Sequence, residues 1–346
     1  VPGTGFLPSG WPELKKKVGT LFESLKHDGY LFGLCSGECV ALSYAHSQTM
    51  LKLKDITYFF QLSRPLNLLI AFLSFGVASY IALYKTGFGF LTDPKFWVAA
   101  CCILGISATG YWINDVYDFR IDRINKPERT IVNALLSVKK VLTVYFVSSF
   151  GLLGISLIYF VFWKQRFYHI AFINLLAILL LFVYASYLKR ISVLGNLVIA
   201  FLVSLVIILA GYLYHINQEL MYTIAFAFQI TLLREITKDV EDIRGDLQYN
   251  LQTLPIQIGL RATKKVLWVL YFFFLLSCYV PFVLHYLQER DFLWQYLVLS
   301  LLIVQLPVAY ILVLLNKAQQ PDQFATQSRY LKYVIITGII TILFLG

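Results

Sequence analysis

Apolar residues run along this chain in long blocks separated by short polar stretches, and the alternation expected of half-buried strands is absent. Blocks over 66–84, 96–113, 141–163, 168–188, 193–214, 266–287 and 294–315 come close to the roughly 20 residues a helix needs to cross the hydrocarbon of a bilayer. Two shorter blocks, 221–233 and 333–345, bring the predicted number of membrane helices to nine. The first of these reaches spanning length only by taking in Arg234 and Glu235, so polar groups enter that helix at one end. The pattern predicts an all-α membrane protein, a nine-helix bundle, with polar loops on one side carrying most of the chemistry.

Those polar loops contain a repeat. Positions 114–122 read Asn-Asp-Val-Tyr-Asp-Phe-Arg-Ile-Asp and positions 238–246 read Lys-Asp-Val-Glu-Asp-Ile-Arg-Gly-Asp. Five of the nine positions are identical, and three of those five are aspartates: Asp115, Asp118 and Asp122 in one copy, Asp239, Asp242 and Asp246 in the other. At 3.6 residues per turn the i, i+3, i+7 spacing gathers three carboxylates within an arc of about 60°. Glu235 extends the second stripe by one turn. Like charges so placed weaken a helix, and a hard divalent cation would relieve the repulsion. Mg²⁺ is commonly held by one or two carboxylates together with the phosphates of a substrate, so two facing stripes suit magnesium ions that grip a diphosphate. Arg120, Arg123, Lys126, Arg129, Lys238 and Arg244 are the neighbouring cations expected to supply further countercharge.

Composition supports the membrane reading: 59% of the 346 residues are hydrophobic and only 14% are charged, too little polar surface for a soluble domain. The formal net charge of +10 is topological. With the N-terminus cytoplasmic, all Lys and Arg except Lys85, Lys95, Lys164, Arg166 and Arg290 fall on the inner side, the bias expected of cytoplasmic loops. That dispersal excludes a nucleic-acid-binding face. The five cysteines have neither a disulfide framework nor zinc-ligand spacing. Residues 1–49 contain no basic segment followed by an apolar core and differ in composition from the rest. They are expected to be an N-terminal appendage to a catalytic body at 50–346, with Met50 as its functional start.

Asn114, Asp118 and Asp122 match an NxxxDxxxD pattern, and Asp242 and Asp246 a DxxxD pattern, that together resemble the UbiA superfamily of intramembrane prenyltransferases. Arg64-Pro65 before the first apolar block, Asn125-Lys126-Pro127 with Arg129 after the first motif, and Thr253-Leu254-Pro255 after the second extend the resemblance over positions 50–346. It implies a helical bundle around a central cavity with cytoplasmic cap loops, in which Mg²⁺ on the two motifs holds an isoprenyl diphosphate whose chain passes to a membrane-associated acceptor. The implied metal residues are Asn114, Asp118, Asp122, Asp242 and Asp246, to which the helical-face argument adds Asp115 and Asp239. Glu235 occupies a position where relatives carry an acid proposed as a base. Arg64 and Asn67 are further diphosphate-binding candidates. A YxxxK pattern of the family is met only in part, because Lys189 follows Tyr184 by five residues.

In such a reaction the departing diphosphate accumulates negative charge while an allylic cation must be kept from water. Cations at the mouth and an apolar cavity serve those two needs, and the faces of Tyr111, Tyr117 and Tyr184 are candidates to stabilise the cation. The motif wording looks most like the branch containing digeranylgeranylglyceryl phosphate synthases and chlorophyll synthases. An alkyl-glycerol phosphate is therefore the leading acceptor and an aromatic quinone or pigment precursor the alternative. An ion-coupled transporter is the non-enzymatic reading, disfavoured because the acids cluster at helix ends rather than at the bilayer midplane.

Overall fold

In the computed structural model the described residues are 54–83, 87–164, 167–289 and 292–345, without the side chain of Arg129. The expected appendage at 1–49 and the start at Met50 lie outside them. The main body, from Thr57 onward, is helical, and its described residues form no strands beyond two isolated bridges.

Proline and short polar caps set the helix starts. Helix α1, Pro65–Ala82, begins with proline at its first turn, where the missing N–H has no intrahelical partner to lose. Helix α2, Pro94–Asn125, starts the same way, with the Asp93 side chain accepting from the backbone N–H of Lys95 at 2.9 Å. Its 32 residues make it about 48 Å long, well beyond the roughly 30 Å of hydrocarbon. Helix α3, Val138–Ser156, runs into a π-helical turn at Leu157–Trp163. Helices α4, Tyr168–Ser186, and α5, Leu194–Leu213, complete the first half.

The second half contains α6, Gln218–Glu241, and a six-residue helix α7, Ile243–Gln248. It continues with α8, Leu254–Ser277, α9, Val280–Glu289, α10, Trp294–Lys317, and α11, Phe324–Ile342. Among the described residues seven helical stretches are long and apolar enough to cross a membrane: α1, α2, α3 with its π turn, α4, α5, α8 joined to α9, and α10. The two shorter apolar blocks of the sequence do form helices, α6 and α11, but neither meets that standard of length and hydropathy.

Each half has its own packed interior. Phe75, Phe96, Ile170 and Leu209 belong to one buried cluster, and Leu267, Val308, Ile311 and Leu331 to the other, with α6 contributing Leu220 to the first and Leu233 to the second. Within lipid the apolar environment gives little drive for helices to associate, so close approach matters more. Gly110 of α2 shows this: a Cβ there would stand 2.8 Å from Leu181 of α4. Large apolar side chains such as Phe150, Phe162 and Trp163 remain exposed, as a lipid-facing surface requires.

Candidate active site

A cavity of about 1030 Å³ runs between the halves, walled by apolar residues such as Ile103, Ile106, Leu205, Val206 and Ile230. Nearly all its charged lining comes from one set of helix ends: the C-terminal turns of α2 and α6, the segments after α2, α4 and α6, and the residue before α1. The exception is Lys332, eight residues into α11. An apolar chamber with a charged mouth follows from the two motifs falling at the C-terminal ends of helices that both finish at the same side of the cavity.

The first motif lies on uninterrupted helix. Asn114, Asp115, Asp118 and Asp122 all line the cavity, as the spacing requires. Asn114 Nδ2 donates to Asp118 Oδ2 at 2.7 Å, and Lys189, just after α4, donates to Asp118 Oδ1. Asp115 Oδ1 accepts from Arg64 Nη2 at 2.6 Å. Arg64 itself has φ 52° and ψ 66°, a left-handed conformation costly for a side-chain-bearing residue, and the following proline disfavours the right-handed alternative. The strain is held by the Asp115 pair and by Tyr111, whose ring centre lies 4.9 Å from the guanidinium. Burial disfavours the charged guanidinium, but Asp115 together with Tyr111, Asp122 and Asp118 outweighs it and holds the Arg64 pKa above its usual value.

The second motif is broken. Asp242 ends α6 with φ −91° and ψ 5° and also precedes α7, so Asp246 lies on a separate short helix. Asp239, Asp242, Asp246 and Glu235 nevertheless line the same cavity. Asp239 Oδ2 accepts from Asn196 Nδ2 at 2.7 Å. Glu235 is 8% exposed, and its two oxygens accept from Arg234 at 2.7 Å and Lys238 at 3.0 Å.

Asn125 and Lys126 join the repeats. Asn125 Nδ2 donates to the Asp242 carbonyl at 2.9 Å, and the Gly245 N–H donates to Asn125 Oδ1 at 2.8 Å. A Cβ at Gly245 would stand 2.5 Å from Asn125, so glycine is what permits the approach. Lys126 Nζ reaches both oxygens of Asp242, at 2.7 and 2.9 Å; burial disfavours its charge, but Asp242 with Glu241 and Asp122 outweighs it and raises its pKa. Asp246 is pushed up to about 7, first by burial and then by the charges of Asp242 and Asp118. The two carboxylate ridges therefore feel one another across the mouth.

Tyr184, Lys189, Asn67 and Lys238 also reach the cavity. Arg120, Arg123 and Arg244, expected around the diphosphate, are not among the residues that line it. Arg120 and Arg123 lie exposed with their guanidinium carbons 5.5 and 5.8 Å from the Phe119 ring centre, and Arg244 pairs with Asp322 at 3.1 Å on the surface. They occupy the back of each helix. Tyr117 is likewise turned away, its ring edge toward Phe182, and the face of Tyr111 is already covered by Arg64. Sequence reasoning missed Asn196 and the clamping roles of Asn125 and Gly245; the small residue in the second motif, where the first has isoleucine, was the available signal for the last of these.

Among the described residues no three His, Cys, Asp or Glu side chains converge as a preformed metal cage. The donor set still suits Mg²⁺, because every motif donor is an oxygen and neither Asp122 nor Asp246 makes an ion pair among the described residues. A magnesium completed by phosphate oxygens needs only one or two carboxylates from each ridge.

The UbiA prenyltransferase family matches residues 66–335. Digeranylgeranylglyceryl phosphate synthase from Saccharolobus solfataricus is 34% identical over 266 residues, covering 74% of this chain and 88% of that protein. The enzyme of the same name from Methanococcus maripaludis is 30% identical over 292 residues, covering 84% and 98%. A solved structure of digeranylgeranylglyceryl phosphate synthase superposes with a TM-score of 0.62 at 22% identity, covering 84% of this chain and 99% of the other. A UbiA homologue from Archaeoglobus fulgidus, solved bound to GPP and Mg²⁺, gives 0.57 at 16% identity, covering 82% and 99%. The chain belongs to the UbiA prenyltransferase family and is a multi-pass integral membrane enzyme.

Proposed function

We propose that the chain catalyses magnesium-dependent transfer of an isoprenyl group from an allylic diphosphate, of the geranylgeranyl class, to the hydroxyl of an alkyl-glycerol phosphate. The observation that carries the reading is the meeting of both carboxylate ridges, with Lys126 and Lys189, at one mouth of a large apolar chamber. The names of the similar synthases support the acceptor class, and the neighbour bound to GPP and Mg²⁺ supports the donor class and the metal. All nine predicted helices, α6 and α11 included, cross the bilayer in this reading, and the motif loops cap the chamber on the cytoplasmic side, where the basic residues concentrate.

Asn114, Asp118 and Asp122 would hold magnesium from one side and Asp239, Asp242 and Asp246 from the other, with Asp115 held beside them by Arg64. The chemistry magnesium supplies when bound is neutralisation of the charge growing on the diphosphate. Lys126 and Lys189 add fixed positive charge at the same place. As the allylic C–O bond breaks, the diphosphate leaves with the bonding electrons. The apolar wall keeps water from the cation, and Tyr184 offers an aromatic face. The acceptor hydroxyl oxygen forms the new C–O bond and its proton passes to Glu235, whose carboxylate keeps acceptor capacity beyond its two existing bonds.

Purified full-length protein, given labelled geranylgeranyl diphosphate and Mg²⁺ with either an alkyl-glycerol phosphate or a quinone-precursor phenol, tests the proposal. A labelled diether phosphate, formed only with magnesium, is the expected product. Prenylation of the phenol alone would replace the acceptor, and absence of diphosphate release with either would remove the enzymatic reading.

A further inference from the structure

An alkyl-glycerol phosphate brings a second anion into a cavity that already takes a diphosphate. The two anions repel, so the acceptor phosphate needs cations of its own. Lys126 and Lys189 are bound to Asp242 and Asp118 and belong to the diphosphate mouth. A separate basic group lies deeper. Arg234 and Lys238, one turn apart on α6, both line the cavity and share a single carboxylate, that of Glu235. Within this trio two cations face one anion, and the nearby Asp239 is bonded by Asn196 instead. The donor count agrees: a guanidinium has five N–H groups and an ammonium three, while Glu235 takes one from each. Arg234 Nε is buried and has no hydrogen-bond partner among the described residues, an orphan donor just behind the lining that Arg234 gives the cavity. Lys332 lines the same cavity from α11, a helix packed on α6.

We infer that Arg234 and Lys238 form the subsite for the phosphate of the acceptor, a recognition element separate from the magnesium-diphosphate mouth. The inference rests on the glycerol-phosphate reading above. The placement suits the reaction. Arg234 stands eight residues, or about 12 Å of helix, inward of Asp242, and Lys238 about half as far. The apolar chain of the donor occupies the apolar chamber, so its reacting carbon lies inward of the diphosphate. A phosphate held on Arg234 and Lys238 brings the neighbouring glycerol hydroxyl to that carbon and beside Glu235. Charge-assisted bonds from a planar guanidinium fit a phosphate monoester; a quinone-type phenol lacking an anion gains nothing from them.

The test uses the full chain in nanodiscs of zwitterionic lipid. Equilibrium binding of a labelled alkyl-glycerol phosphate is expected to persist in EDTA, because this subsite uses no metal, and to weaken at least tenfold in Arg234→Gln and Lys238→Gln. In turnover both variants are expected to raise KM for the alkyl-glycerol phosphate tenfold or more, with KM for geranylgeranyl diphosphate within twofold; the unchanged donor KM also reports an intact fold. Arg234→Lys keeps the charge but loses Nε, guards against misfolding of the glutamine variant, and is expected to fall between. If the wild type uses the alkyl-glycerol phosphate and neither variant alters its KM or its binding, the subsite is wrong while the proposed reaction stands. If the wild type prenylates only a phenol, the proposed reaction itself fails. Displacement of the acceptor by phosphatidic acid as effectively as by unlabelled acceptor would reassign the subsite to bilayer phosphate headgroups and overturn the proposal.

Discussion

The two copies of the aspartate motif share their spacing but not their backbone. In α2 the three carboxylates project from one continuous helix that runs on to Asn125. In the second copy the helix stops at Asp242 and restarts at Ile243, so Asp246 is carried on a short element tied back by Asn125 and Gly245. One ridge is fixed by helix geometry, the other by tertiary hydrogen bonds. The difference teaches that duplication of spacing sets which residues face the mouth, whereas the position of the second ridge depends on partners more than a hundred residues away.

Removal of a carboxylate tests whether both ridges are needed. Asp118→Ala and Asp242→Ala are each expected to lower turnover by about a thousandfold or more, the scale of losing several kcal/mol of charge stabilisation, with helix content by circular dichroism unchanged. Equal activity in either variant would show that one ridge suffices. Attack on the clamp is more specific to the broken copy. Gly245→Ala drives a methyl into Asn125 and should reduce magnesium-dependent donor binding by about 10- to 100-fold, the range seen when groups behind metal ligands are lost. An alanine at Ile121, the matching position of the continuous helix, should change donor binding much less.

A pH titration separates the ridges by another route. Burial and the neighbouring carboxylates put Asp246 at about 7, above its unfolded value near 4. Below that pH a proton competes with the cation, so apparent magnesium affinity should fall by up to about tenfold per unit as pH drops from 7 toward 5, and Asp246→Asn should flatten the profile. For the metal-free protein the sign reverses. The folded state holds this proton more tightly than the unfolded one, so the contribution of Asp246 to stability diminishes as pH rises from about 4 to 7. The smallest effect belongs to the outward arginines: Arg120→Ala, Arg123→Ala and Arg244→Ala should leave donor KM within about twofold, and loss of the exposed Arg244–Asp322 pair should cost at most about 1 kcal/mol.

Helical phase explains how much of this was legible. Asp115, Asp118, Asp122 and Lys126 fall on one side of a 100°-per-residue wheel, whereas Arg120 falls about 160° and Arg123 about 100° from the centre of that stripe. The same arithmetic turns Arg244 away from Asp239, Asp242 and Asp246. Counting charges near a motif puts those arginines beside the diphosphate, whereas helical phase points them the other way. By contrast, nothing local in the sequence indicates that Asn196 would bond Asp239 or that Arg64 would cross to Asp115. Such pairings are decided by how helices pack, and periodicity is silent about neighbours distant in the chain. The apolar blocks gave the helices themselves because bilayer thickness fixes their length, while α6 and α11 were faint because each gives up apolar positions to line the chamber.

The ammonium groups of Lys126 and Lys189, seated on Asp242 and Asp118, mean that the mouth carries built-in counter-ions. Ridges of bare carboxylate would spring apart whenever their cargo left, and each catalytic cycle would begin with a search for the right shape. Here two tethered side chains stand in between visits, so chelation should silence the protein without dismantling it, and the next diphosphate meets a gate already assembled.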